Sequence, residues 1–113
     1  MPYIGINTAQ DLSGAQKEKI KAEFGRLIAI IPTKSEAGLL VDFSGGHTLY
    51  RAGADVQGAF VEVRLFKPAP LEAKKQFTKE VFDLMERELG VKKEHMYFNI
   101  MEFENWGLNG ELK

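Results

Sequence analysis

Two stretches of alternating or continuous apolar residues, each followed by an amphipathic helix and then a further strand, constrain this chain more than any other feature. The first unit begins at the chain start with Pro2-Tyr3-Ile4-Gly5-Ile6-Asn7-Thr8. Ser13, with Gln16 three residues on, has the spacing of a capping box. The helix it opens carries Ile20, Phe24, Leu27, Ile28 and Ile31 on a single stripe, and Pro32 stops it. A strand over Gly38–Phe43 completes the unit, and its apolar run predicts burial on both faces or pairing with two neighbours. Ser44-Gly45-Gly46-His47 then forms a turn, with Thr48–Arg51 as a short returning strand.

The second unit repeats the pattern in other letters. From Ala59 to Lys67, Val61, Val63 and Leu65 point one way and Phe60, Glu62, Arg64 and Phe66 the other. Pro68-Ala69-Pro70 introduces a helix whose stripe is Phe77, Val81, Leu84, Met85 and Leu89, with Asp83 and Arg87 at pairing distance and Gly90 as its terminator. The strand His95–Glu102 sends Met96, Phe98 and Ile100 to one face and Tyr97, Asn99 and Met101 to the other. The glycine-rich tail from Glu104 to Gly110 has no clear periodicity.

Right-handed crossovers of this kind predict an α+β, two-layer fold, a tandem βαβ repeat in which both helices cover one face of a four-stranded mixed sheet. The 113 residues suffice for one domain, 1–113. The other sheet face is left bare, yet it carries Phe60, Phe66 and Met101 beside Glu62, Arg64, Tyr97 and Asn99. Apolar surface of that extent calls for a partner, and assembly with further copies of the chain is the economical solution. Ligand sites then fall in clefts between subunits.

A formal net charge of −1 gives no basic footprint for nucleic acid or an anionic membrane. The chain has no cysteine, which excludes disulfides and thiolate chemistry and fits a reducing compartment. No apolar run approaches the length of a membrane span, and the expected location is cytoplasmic. His47 and His95 stand without ligand-spaced partners, so no metal site is expected. Gly45-Gly46 precedes no helix and forms no phosphate cradle.

The residue with the clearest chemical potential is Pro2. If Met1 is removed, Pro2 carries a secondary amine at the edge of an apolar core. An α-amino group titrates at roughly 7.7–8.0, and burial lowers that value by disfavouring the cation. Such an amine is neutral near pH 7 and suited to general-base work. The structural alternative is that proline merely suits the first position of a strand.

Pro2-Tyr3-Ile4-Gly5-Ile6-Asn7-Thr8, the Tyr97-Phe98-Asn99 strand and Trp106-Gly107 near the end together resemble the family of macrophage migration inhibitory factor (MIF) and D-dopachrome tautomerase. The resemblance spans essentially the whole chain. It implies a trimer whose sheets form a central barrel, with three sites at subunit boundaries and no metal or organic cofactor. It implies keto–enol tautomerisation of phenylpyruvate-like or dopachrome-like small molecules by a cofactor-independent isomerase, with Pro2 as base. Tyr97 and Asn99 would come from the neighbouring subunit, Phe66 would line the pocket, and a lysine after the first helix would hold the substrate carboxylate. Lys34 is the nearest lysine, slightly out of register by residue count, and Arg64 is the alternative anchor because a guanidinium binds carboxylate bidentately. The family's thiol motif is absent. On the residues alone, Tyr97 and Asn99 are also readable as polar positions on an interface strand, Lys34 as a solvated lysine, Arg64 as an ion pair and Trp106 as packing. A trimer without turnover, acting by binding, and a metabolite-sensing ferredoxin-like module are the other readings.

Overall fold

The computed structural model describes residues Met1–Lys113. Strand β1 (Pro2–Thr8) leads through the Ser13 cap into α1 (Gly14–Leu27) and on to β2 (Leu40–Ser44). A hairpin of β3 (Tyr50–Arg51) and β4 (Ala54–Asp55) separates this unit from β5 (Ala59–Phe66), α2 (Leu71–Leu89) and β6 (Met96–Phe103). The main sheet has the order β2-β1-β5-β6, with β1 and β2 parallel, β1 and β5 antiparallel, and β5 and β6 parallel. It is the mixed four-stranded sheet of a tandem βαβ repeat.

The core forms between the helices and one sheet face because the two apolar periods meet there. Ile4 and Ile6 of β1 and Val61, Val63 and Leu65 of β5 are fully buried against Ile20, Phe24, Phe77, Val81, Leu84 and Met85 of the helices. Ser13 Oγ accepts from the Gln16 amide (3.1 Å) and the Gln16 side chain accepts from the Ser13 amide (2.9 Å), closing the capping box. The chain leaves α1 through one 3₁₀ turn, Ile28–Ile30, and becomes extended at Ile31, the residue before Pro32. Gly90 caps α2 with φ +67°, a conformation open to glycine at little cost. No helix is long and apolar enough to cross a membrane.

Four details depart from the expectations. Strand β2 is an edge strand paired with β1 alone, and only Val41 and Phe43 pack on the core, while Leu40 is exposed. Its apolar run reflects one core face plus a bare outer face. Tyr50–Arg51 does not return to β2 but pairs with Ala54–Asp55 across Ala52-Gly53, whose φ values of +55° and +79° match a tight two-residue hairpin loop. Asp83 pairs with Lys79 (2.9 Å), one turn back on the same face, and with Lys93 (2.7 Å), while Arg87 pairs with Glu88 and Glu23. The tail forms a second small hairpin, β7 (Gly107–Leu108) and β8 (Glu111–Leu112), turned by Asn109-Gly110.

Candidate active site

The chain start is buried where β1 meets β5. Pro2 pairs in register with Leu65, and the backbone of Gly38 passes close to Met1 and the Pro2 ring. Lys34 reaches the same place. It follows a turn in which its amide donates to the Ile31 carbonyl (3.1 Å), with Pro32 and Thr33 at the central positions. Thr33 has φ +70°, the conformation that the third position of a type II turn demands and that a β-branched residue adopts only under strain. The turn sends the half-buried Lys34 side chain inward, where Nζ donates to the Phe66 carbonyl at 2.8 Å. The α-amino group of Met1 is held below its ordinary pKa, first by burial and then by repulsion from Lys34.

Aromatic rings wall this end of the sheet. Phe66 and Trp106 lie 6.4 Å apart, and Trp106 lies 6.2 Å from Phe103. The nearby acids are already engaged. Glu102 accepts from the Ala69 amide (2.6 Å) and Lys74 (3.1 Å), and the Ala69 bond does most to keep its carboxyl below the usual range. Glu104 pairs with Lys67. Lys34 meets no carboxylate, so two of its three N–H donors are available to an anion.

Arg64 lies on the bare sheet face, opposite Tyr3. Its guanidinium sits 5.2 Å from the centre of the Tyr3 ring and donates to Glu62 (3.2 Å), while the Tyr3 hydroxyl donates to Asp42 (2.9 Å). Burial, followed by the Asp42 bond, raises the Tyr3 pKa. Arg64 is therefore engaged within the chain in a way that Lys34 is not.

Tyr97 stands far from the chain start. Tyr97 is level with Phe60 whereas Pro2 is level with Leu65, a separation of five residues along β5, or about 16 Å at the strand rise. One chain thus brings together Pro2, Lys34 and Phe66, and places Tyr97 near the other end of the sheet and Asn99, level with Glu62, midway along it, both exposed. Tyr97 is 56% exposed and meets Phe60 edge-to-face at 6.5 Å. It borders a cleft of about 210 Å³ walled by Leu49, Val56 and Phe60. The Arg51 guanidinium lies over its ring at 5.4 Å, a contact that the sequence signals only by placing Arg51 just before the Ala52-Gly53 turn. No three His, Asp or Glu side chains converge to hold a metal ion, and the His47 ring instead bonds the Ser44 hydroxyl (2.9 Å).

Residues 60–113 match the family model described as "Tautomerase enzyme". The second strand–helix–strand unit is thus similar to the tautomerase superfamily. The chain's tautomerase fold extends over the whole length in comparison with solved structures. MIF2 of Leishmania major superposes with a TM-score of 0.93 at 19% identity, covering 100% of this chain and 97% of that one. The MIF-like protein of Entamoeba histolytica gives 0.86 at 18% identity, covering 99% and 98%. Pt0534, solved after inactivation by 2-oxo-3-pentynoate, gives 0.83 at 17% identity, covering 96% and 93%. No curated protein sequence matches this chain.

Proposed function

We propose that this chain is a keto–enol tautomerase of phenylpyruvate-like or dopachrome-like compounds, in which the Pro2 amine, freed by removal of Met1, is the general base. The observation that carries the reading is the convergence of a buried chain start with Lys34, a cation that has no carboxylate partner. Burial and the Lys34 charge, which lower the pKa of the Met1 amine, would act in the same direction on a Pro2 amine at nearly the same place. Neutral Pro2 takes a proton from the carbon beside the ketone, and the prolinium returns it to the enolate at oxygen or carbon. Lys34 holds the substrate carboxylate, with Arg64 as the alternative anchor, and Phe66 lines the pocket. Tyr97 and Asn99 of a neighbouring copy complete the site, the Tyr97 hydroxyl stabilising the developing oxyanion. The assembly is a homotrimer with a site at each subunit boundary, and no cofactor takes part.

Members of the superfamily are generally isomerases, which supports the reaction class. The inactivation of the similarly folded Pt0534 by 2-oxo-3-pentynoate, a 2-oxo acid with a conjugated alkyne, supports 2-oxo acids as the substrate type. A cytoplasmic location and a small-molecule substrate, with neither nucleic acid nor membrane as a target, complete the proposal. In chains that keep Met1, the Pro2 nitrogen is an amide without basicity, and those chains act as binding proteins without turnover.

The test is conversion of enol to keto phenylpyruvate by protein whose mass confirms loss of Met1, beside a variant with alanine inserted between Met1 and Pro2. Loss of a general base reduces rate by roughly 10²–10⁴-fold. We expect the insertion to lose at least the lower figure. Full activity in the insertion variant would remove Pro2 from the mechanism.

A further inference from the structure

Arg51 is the one arginine of the four without a carboxylate. Arg26 pairs with Glu23 (2.6 Å), Arg64 with Glu62 (3.2 Å) and Arg87 with Glu88 (3.4 Å). Arg51 forms no ion pair, although Glu94 borders a shallow hollow on its other side. Its guanidinium instead lies over the Tyr97 ring at 5.4 Å, at the edge of the apolar cleft bordered by Leu49, Phe60 and His95. A guanidinium over a ring and free of any carboxylate has N–H donors to spare, and their fork matches the two oxygens of a carboxylate. The position is fixed by local structure, because Arg51 ends β3 immediately before the tight Ala52-Gly53 turn.

From this we infer that Arg51 is a specificity-determining residue of the composite site and selects a 2-oxo acid with a second carboxylate. The inference rests on the reading that Tyr97 of one copy completes the site at the chain start of another. Under that reading, Arg51 accompanies Tyr97 into the site that Lys34 reaches from the other copy. Two cations, each lacking a carboxylate partner in its own chain, then face the ligand from different subunits. A monocarboxylate satisfies one of them. A dicarboxylate satisfies both. Arg51 also differs from Arg64, whose charge is already matched by Glu62.

The experiment compares 2-oxoglutarate with 2-oxopentanoate, which share chain length and ketone and differ by one carboxylate. Met1-free protein and its Arg51→Leu and Arg51→Lys variants are examined by calorimetric binding and by deuterium exchange at C3 of each compound. Arg51 is exposed on a hairpin outside the core, so both substitutions leave the buried residues untouched. The parent protein is expected to bind 2-oxoglutarate at least tenfold more tightly than 2-oxopentanoate. That ratio falls to near one in Arg51→Leu and is partly kept in Arg51→Lys. A parent protein that does not discriminate, or a ratio unchanged in Arg51→Leu, overturns the inference. The binding ratio judges Arg51 and the exchange judges the tautomerase reading: discrimination without exchange on either compound sustains the first against the second, and exchange without discrimination does the reverse.

Discussion

Lys34 is delivered to the chain start by a turn whose cost is borne at Thr33. A non-glycine residue in the left-handed region costs of order 1–3 kcal/mol, and a β-branched one stands at the unfavourable end. Thr33→Gly removes that strain, offset in part by glycine's greater freedom in the unfolded chain. We predict a net gain of about 1 kcal/mol, read from the urea midpoint at fixed protein concentration. At the neighbouring position, Lys34→Met deletes the charged donor. A hydrogen bond to a charged group is worth about 1.5–3 kcal/mol, so KM for phenylpyruvate should rise roughly 10–100-fold. An unchanged KM would shift the anchor to Arg64. The sequence alone left those two cations side by side, because counting back from β2 treats the connecting residues as extended. In fact Glu36–Gly38 is a 3₁₀ turn, which advances about 2.0 Å per residue against about 3.3 Å in a strand. The segment between Lys34 and β2 is therefore shorter than a residue count through extended chain suggests.

Among the elements, the helices were the most legible and the short strands the least. Periodicity and caps are local, so the stripes of α1 and α2, the Ser13–Gln16 box and the Gly90 terminator could be read directly. Pairing partners are not local, and the run in β2 and the Tyr50–Arg51 segment give no sign of which strand they join. The same limit hid the ion pairs of α2, where Lys93 reaches Asp83 from the turn preceding β6. Lys93, with Lys79, holds the Asp83 carboxyl at about 2, below its ordinary value of 3.8. The folded-state value is the lower one, so the stabilisation is complete above the unfolded pKa and is lost as pH falls through about 2. Urea midpoints should therefore drop less in Asp83→Asn than in the parent protein between pH 5 and 2, and equal slopes would contradict this.

For the molecule as a whole, the bare sheet face and the distance between Pro2 and Tyr97 point to the same arrangement. Tyr97 is 56% exposed and Phe103 40%, on a face that also holds the Tyr3–Arg64–Glu62 cluster. The apolar alternation made this face readable from the sequence. What covers it was not readable, since a single chain specifies only the surface it presents. If the site is shared between copies, a chain with alanine inserted before Pro2 and a Tyr97→Ala chain each lack one half. Mixing them by co-refolding should restore activity above the sum of the separate proteins, in assemblies with the mass of three chains by light scattering. A mixture no more active than its parts would place the whole site within one chain.

The central claim, that a neutral Pro2 amine is the base, is tested most directly by the pH dependence of kcat/KM for Met1-free protein on phenylpyruvate. A base must be unprotonated to act, so the rate rises with pH through the pKa of the free enzyme's amine. Burial and the Lys34 charge predict a midpoint below the ordinary α-amino value of roughly 7.7–8.0. A rising limb centred below that range, absent from the alanine-insertion variant, is the expected result. A profile with no rising limb, or one centred above that range, would contradict the account.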